Sequence, residues 1–340
     1  MIPYSQLPRS NRKNLRDIIP LKKPFTILFE PTSICNFRCI QCFHSLENIY
    51  NHMEKGFMKL SALRKIVDDL KAWKGPKIKV IRIIGFGEPL LNREYLQLLN
   101  CIKEADIADR VETTSNASLL TPAISRKMIE YGLDYLRVSI YSALQEKHEA
   151  ITKNSIRIDK IHDNLMQMKR LKEEANSQKP FVYIKMLDSF DDVENRSFFE
   201  YYSDVADEIA IEKPHNWLDM NSKSFLKDLY GAKTEEIIKT VDFDTTMKKV
   251  CPQPFKMLSI RFNGDVIVCD PDWYNNTKIG NALTDNIADI WNGDKMFQFR
   301  MMQLENRRHE NASCRNCTTF LTDNYSMDNI DGFPPEKLRR

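Results

Sequence analysis

Short apolar runs and amphipathic stretches alternate along the first two thirds of the chain. Residues 25–30 (Phe-Thr-Ile-Leu-Phe-Glu) form an apolar run of strand length that leads into a cysteine-bearing loop. Residues 59–74 carry Leu60, Leu63, Ile66, Val67 and Leu70 at spacings that put them on one face of a helix. The two patterns then repeat. Strands are predicted over 78–84, 110–114, 135–140, 181–187 and 208–212, and helices over 92–106, 121–131, 157–175 and 192–206. Six strands separated by helices at this spacing imply an α/β fold with a parallel sheet and crossover helices. An open sheet and a partial (β/α) barrel both satisfy the pattern.

The last third reads differently. Residues 218–250 are polar, charged and weakly periodic, a linker with helices predicted at Leu226–Tyr230 and Thr234–Thr240. Met257–Phe262 and Val266–Val268 are strand-like, and Asn263-Gly264 between them predicts a two-residue hairpin turn. Helices are expected near Asn286–Trp291 and Lys295–Leu304, and the tail, with Pro334 and Pro335, is expected to be loose. The expected organisation is an extension (1–24), an α/β unit (25–217), the linker (218–250), a small α+β unit (251–320) and the tail (321–340).

Composition narrows the function. The chain has 340 residues, 42% of them hydrophobic, enough for a real core. Its 50 basic and 47 acidic residues nearly balance, which argues against binding nucleic acid by phosphate neutralisation. No apolar run approaches the roughly 20 residues that span a bilayer. The first 25 residues hold Arg9, Arg12, Lys13, Arg16, Lys22 and Lys23 but no apolar stretch, so no secretory signal is read and a cytoplasmic location is expected. In a reducing compartment, eight cysteines point to metal ligands or reactive thiols rather than disulfides.

Seven of the eight cysteines fall in two groups. Cys35, Cys39 and Cys42 form a CxxxCxxC run directly after the first strand. Three thiolates in so short a loop can hold three corners of a metal site. A structural zinc wants four protein ligands, whereas a [4Fe–4S] cluster held by three cysteines leaves one iron open to a ligand. His44 could complete a Cys3His zinc knuckle, although its separation from Cys42 is shorter than usual ligand spacing. Cys251, Cys269, Cys314 and Cys317 complete a four-thiolate set, for which spacing alone allows zinc or [4Fe–4S]. Cys101 lies in a helical pattern and reads as a small core residue.

Gly85-Phe86-Gly87-Glu88-Pro89 follows the second strand. Glycine there lets backbone approach a ligand closely, and Glu88 offers a carboxylate at the C-terminal edge of the sheet, where α/β sites sit. An acidic cap on a strand-ending turn is the plainer reading. Ser115-Asn116 and Ser139 face the same edge if the sheet is parallel.

Together these residues resemble a radical S-adenosylmethionine (SAM) enzyme over about 25–320. The resemblance implies a partial (β/α)6 barrel with the SAM-binding [4Fe–4S] cluster on Cys35, Cys39 and Cys42. Gly85 to Pro89 resembles the family's GGEP segment, which holds the methionine amino group; Phe86 takes the second position. Thr114-Ser115-Asn116 resembles a segment near the cofactor, and Ser139 a serine that contacts ribose or carboxylate. Gln41 stands where the family commonly has an aromatic residue beside adenine, with Phe43 as the substitute. Cys251, Cys269, Cys314 and Cys317 resemble Twitch, the shortened relative of SPASM, which implies one auxiliary [4Fe–4S] cluster with no open corner. The resemblance also implies a low-potential electron donor such as flavodoxin or ferredoxin.

The cysteine order is that of radical dehydrogenases that oxidise an aminocyclitol alcohol. The leading expectation is therefore oxidation of a sugar or cyclitol alcohol, with the auxiliary cluster taking an electron. Radical modification of a ribosomally made peptide is the alternative, and a non-enzymatic zinc protein is the third reading. For the proton step, His215 after the sixth strand is the candidate, beside Glu212, Asn216 and Trp217; Tyr141 and Arg261 are further candidates.

Overall fold

The computed structural model describes residues 13–213, Gly231, 248–317 and 326–338. Six strands alternate with helices as the periodicity predicts. They are β1 (Thr26–Phe29), β2 (Ile78–Ile83), β3 (Ala108–Ser115), β4 (Tyr135–Ser139), β5 (Phe181–Leu187) and β6 (Glu208–Glu212). The helices are α1 (Glu47–Tyr50), α2 (Leu60–Ala72), α3 (Tyr95–Ala105), α4 (Pro122–Glu130), α5 (Gln145–Thr152), α6 (Ile158–Glu174) and α7 (Asp192–Tyr202). Then come β7 (Met257–Ile260), β8 (Asp265–Ile267) and β9 (Lys278–Asn281), with α8 (Gln253–Lys256), α9 (Ile287–Asn292), α10 (Asp294–Leu304) and α11 (Ala312–Arg315). Neither α5 nor β9 was expected from the sequence. The two helices expected in the linker lie outside the described residues.

All nine strands belong to one sheet, ordered β6-β5-β4-β3-β2-β1-β7-β8-β9. β1 to β6 run parallel, and β7 also pairs parallel with β1. β8 and β9 add antiparallel strands. The C-terminal unit thus continues the sheet of the α/β unit, with β7 paired to β1.

Side-chain parity separates the two architectures that periodicity left open. Ile27 and Phe29 of β1, Leu136 and Val138 of β4, and Val182, Ile184 and Met186 of β5 are buried in the core under the helices. The alternate positions carry Arg82, Glu112, Arg137, Lys185 and Glu212, and paired strands keep them in register on the opposite face. A doubly wound sheet would be apolar on both faces. One covered apolar face and one charged face is the pattern of a partial barrel, its interior left open for ligands. Each helix supplies its share of the covered face. Leu63, Ile66, Val67 and Leu70 of α2 are buried, and α4 starts where Thr121 caps the Ile124 amide ahead of Pro122.

Two expectations need correction. The β7–β8 connection is a three-residue loop, Phe262-Asn263-Gly264: the Arg261 amide donates to Asp265 O at 2.8 Å and the Gly264 amide to Arg261 O at 2.9 Å. A two-residue type I′ turn needs positive φ at both central residues. Here Gly264 has φ +85° while Asn263 does not enter that region. The tail is also not loose over 326–338. Ile330, Phe333 and Leu338 join Leu15, Ile19, Val250, Phe255, Met301 and Leu304 in a second apolar core. Asp331 accepts the Val250 amide at 2.8 Å, and Lys256 pairs with Asp328 at 2.6 Å. A few large apolar side chains suffice to dock a terminal segment.

Candidate cofactor and radical site

The first cysteine loop is set between β1, the β2 loop and α5. On one side the Gly87 amide donates to Thr32 O at 3.0 Å and the Glu88 amide to Ile34 O at 2.9 Å, just ahead of Cys35. The approach leaves no room for side chains. A Cβ on Gly87 would stand 2.2 Å from Ile34 O, and one on Gly85 2.3 Å from Glu30 Cγ. Gly87 is therefore required by backbone contact between two loops, and Gly85 by its packing on Glu30. On the other side, the Arg38 and Ile40 amides each donate at 2.9 Å, to Thr152 O and Ile151 O at the end of α5.

Within this cradle Cys35, Cys39 and Cys42 crowd together. Burial pushes Cys35 up to about 12 and Cys42 to about 11; for Cys35 the neighbouring Glu88 and Cys42 add to the rise, while Arg38 opposes it in both. Cys39 is raised further by burial and by Cys42, with the Tyr141 hydroxyl in hydrogen-bond contact. The rise means that thiolates here need a cation, which a metal centre supplies.

His44 does not belong to the ligand set. It is buried, its Nε2–H donates to Phe86 O at 2.6 Å, and Arg38 Nη1 donates to its Nδ1 at 3.3 Å. Both ring nitrogens are engaged, so no lone pair is left for a metal. Burial, first, and the nearby cations Arg38 and Lys55 lower its pKa to about 4, although the Phe86 carbonyl bond opposes the shift. The Cys3His zinc knuckle is thereby removed.

Phe43 is not open to a nucleobase either. Its ring stacks on Trp273 at 4.5 Å and meets Phe86 edge-on at 4.8 Å, and the residue is buried. Glu88 is buried too, and its carboxylate is occupied. Oε1 accepts from Ser115 Oγ at 2.7 Å and from the Leu90 amide at 3.2 Å; Oε2 accepts from the Asn116 amide at 2.8 Å. The acidic-cap reading therefore describes Glu88 as it stands, and it ties the loop after β2 to the loop after β3. Asn116 in turn reaches the first cysteine loop, donating from Nδ2 to Asn36 Oδ1 at 3.0 Å. Ser139 is half-buried on the open face at the end of β4, in register with Lys185. His215, Asn216 and Trp217 lie outside the described residues.

The second group gathers Cys251, before α8, Cys269, just beyond β8, and Cys314 and Cys317 around α11. Asn311 caps α11 through the Ser313 and Cys314 amides. Arg308 Nη2 donates to Cys314 O and Cys317 O, each at 2.7 Å, which closes the loop. Burial first, then Cys317 and Cys314, push Cys251 to about 12; burial first and then Cys317 push Cys314 to about 11. Cys269 is raised by burial and then by the other three. Among the described residues no three His, Cys, Asp or Glu side chains converge tightly enough for a single metal ion. The donor chemistry of both sets, three and four cysteine thiols, is that of iron–sulfur ligation.

Residues 29–176 match the Radical SAM superfamily, and residues 251–318 match SPASM, an iron–sulfur cluster-binding domain. This chain is a radical SAM enzyme with an auxiliary-cluster domain. Its cofactors are S-adenosylmethionine and iron–sulfur clusters. Over 320 residues, 86% of each chain, it is 22% identical to the tungsten-containing aldehyde ferredoxin oxidoreductase cofactor-modifying protein of Pyrococcus furiosus. It is 32% identical to the GTP 3′,8-cyclase of Alkaliphilus oremlandii over 122 residues, 36% of each chain. Its fold resembles that of BtrN in complex with AdoMet and 2-DOIA, with a TM-score of 0.52, 18% identity and coverage of 87% of this chain and 93% of that one. It also resembles Streptococcus suis SuiB bound to the precursor peptide SuiA, with a TM-score of 0.59, 15% identity and coverage of 94% and 77%. No helix among the described residues of this radical SAM enzyme is long and apolar enough to cross a membrane.

The sequence reading named Arg261 and Glu212 but missed the side chains grouped around each of them on the open face. Asp270, beside Cys269, is raised to about 6 by burial and by Glu30, with Arg261 and Arg82 opposing. Glu30 is itself buried, accepting from Arg261 Nε at 2.7 Å and from the Phe86 amide at 3.1 Å. Further along, Glu212 accepts from Arg137 Nη2 at 2.5 Å and from Lys185 Nζ at 2.9 Å. Burial works against Glu212, yet Lys185 and Arg137 hold it below the usual carboxylate range; burial lowers Lys185. Charged residues at alternate positions in otherwise apolar strands were the available signal.

Proposed function

We propose that this radical SAM enzyme oxidises a secondary alcohol of a small hydroxylated ring, a sugar or cyclitol, to a ketone. The observation that carries this reading is the pairing of a three-thiol loop after β1 with a four-thiol set around β7 and β8, which extend the same sheet. Three protein ligands leave a corner for S-adenosylmethionine, whereas four close the second centre to substrate and suit it to electron transfer. When bound, the first cluster and S-adenosylmethionine supply a 5′-deoxyadenosyl radical, and the second cluster supplies an acceptor for one electron.

The chain's own residues do the rest. Cys35, Cys39 and Cys42 hold the first centre, and Cys251, Cys269, Cys314 and Cys317 the second. The loops of Gly85 to Glu88 and Ser115–Asn116, locked by the Glu88 carboxylate, together with Ser139, shape the cofactor's bed. Asp270 is adjacent to Cys269 and in electrostatic contact with Glu30 and Arg261. Its carboxylate would accept the hydroxyl proton, while S-adenosylmethionine, when bound, would supply the acceptor of the C–H hydrogen. One hydrogen atom, one proton and one electron then account for the two hydrogens lost. A low-potential donor such as flavodoxin or ferredoxin would supply the first electron, and the electron taken by the second centre would pass back to the donor or to the first centre, so that no net electron is consumed per ketone. The fold resemblance to BtrN in complex with AdoMet and 2-DOIA accords with a small-molecule substrate.

Anaerobic turnover with polyols deuterated at the carbinol carbons tests the reading. Deuterium should appear in 5′-deoxyadenosine, with one S-adenosylmethionine consumed per ketone. Regenerated S-adenosylmethionine, or transfer only from a peptide, would exclude simple alcohol oxidation.

A further inference from the structure

A cleft of about 160 Å³ opens between the segment that follows the first cysteine loop, the β7–β8 loop and the segment that follows Cys269. His52 and Glu54 line it beyond the first cysteine loop, Arg261 at the β7–β8 loop, and Trp273, Tyr274 and Asn275 beyond Cys269. Trp273 ties the cleft to both centres, because it stacks on Phe43, the residue after Cys42. We infer that this cleft binds the body of the substrate, and that it takes a saturated, hydroxyl-bearing ring without a negative charge. The inference rests on the alcohol-oxidation reading and names where the ring is held.

Size, charge and surface chemistry each support it. The volume equals about five water molecules at the ~30 Å³ each occupies in the liquid, below the ~300 Å³ at which drug-sized pockets begin. A single ring fits; a peptide segment or a nucleotide does not. No positive charge is in surplus. Arg261 is matched by the buried carboxylate of Glu30 at 2.7 Å, and Glu54, which accepts from the neutral Asn263 Nδ2 at 2.7 Å, keeps its charge. A phosphate would face Glu54 and Glu30 with Arg261 already paired. The walls alternate flat apolar rings with mixed donors and acceptors. A saturated ring offers C–H faces to Trp273 and Tyr274 and a rim of hydroxyls, each able to donate or accept, to Arg261, Asn275 and His52. Asn275 is fixed for this, with φ +57° and its Oδ1 accepting from Arg261 Nη1 at 3.3 Å.

Anaerobic calorimetry on the reconstituted holoenzyme with S-adenosylmethionine tests the inference, using scyllo-inositol, D-glucose, glucose 6-phosphate and tetra-alanine as probes. One of the neutral polyols should bind saturably. The His52→Ala/Tyr274→Ala double variant, which removes two exposed side chains, should weaken that binding about tenfold. Iron content and S-adenosylmethionine affinity report that the variant has folded. The inference is overturned if neither polyol saturates, if the phosphate or peptide probe binds more tightly, or if the variant binds as the native chain does. A probe that binds through His52 and Tyr274 but yields no deuterium transfer defeats alcohol oxidation and leaves the cleft standing. Oxidation of a probe by the double variant at native KM does the reverse.

Discussion

Gly87→Ala puts the construction of the first cysteine loop to the test. The added methyl would stand 2.2 Å from Ile34 O, 2.6 Å from Thr32 O and 2.7 Å from Ile34 N. All three are backbone atoms, so no rotamer change can relieve the overlap. The two loops must part, and the bonds from Gly87 N to Thr32 O (3.0 Å) and Glu88 N to Ile34 O (2.9 Å) then break. Two hydrogen bonds at about 1 kcal/mol each, with partly desolvated groups left unpaired, give a cost of about 3–5 kcal/mol. That is a large share of the roughly 5–15 kcal/mol that stabilises an ordinary domain. Parting also displaces Cys35, the residue after Ile34. Urea unfolding of the metal-free protein should show the loss. Anaerobic reconstitution should recover about half the native iron, because the C-terminal four thiols remain in place. Gly332→Ala is the control: its φ is +71° and nothing lies within 4 Å of the added carbon. It should cost about 1–2 kcal/mol through backbone strain alone and retain full iron. A Gly87→Ala protein within about 1 kcal/mol of native stability, with native iron content, would refute the account of this loop.

Further outcomes follow from other contacts. Cys42→Ala should abolish cleavage of S-adenosylmethionine, whereas Cys314→Ala should reduce ketone formation more than cleavage; equal loss in a folded protein would remove the electron-acceptor role of the second centre. Glu88→Gln should cost about 1–3 kcal/mol in thermal or urea unfolding, because an amide cannot accept on both oxygens from Ser115, Leu90 and Asn116. His44 gives a pH dependence. Its folded pKa of about 4 lies below the ordinary imidazole value of 6.5. Between those values the unfolded chain binds a proton that the folded chain refuses. Its contribution is therefore complete above pH 6.5 and falls as pH drops toward 4, by at most about 3 kcal/mol. The difference between native and His44→Gln unfolding curves of the metal-free protein should shrink across that window; a constant difference would mean that His44 is not buried neutral.

Much of the fold was legible in local pattern. Periodicity located β1 to β6 and the crossover helices, since an apolar stripe records which face of an element is covered. It overlooked α5, where His148, Ile151 and Thr152 are buried but the helix is otherwise polar, and β9, whose four residues (Lys-Ile-Gly-Asn) bury only Ile279. The hairpin sequence announced a turn without fixing its length, because loop length depends on which residues of the two strands pair.

By itself the sequence determined the chemistry of the donors: three thiols within eight residues, four more late in the chain, and glycines after β2. Spacing alone restricts what such a set can ligate. The tertiary structure decided which neighbours were already occupied. His44 and Glu88 read as free ligands until their bonds to Phe86 and Ser115 are seen, and Phe43 reads as an open ring until Trp273 is found against it. These partners lie 42, 27 and 230 residues away along the chain. Contacts at such separation depend on how β1 sits between β2 and β7, and on the opposed sheet faces that put core on one side and charge on the other. Local pattern carries no record of that arrangement.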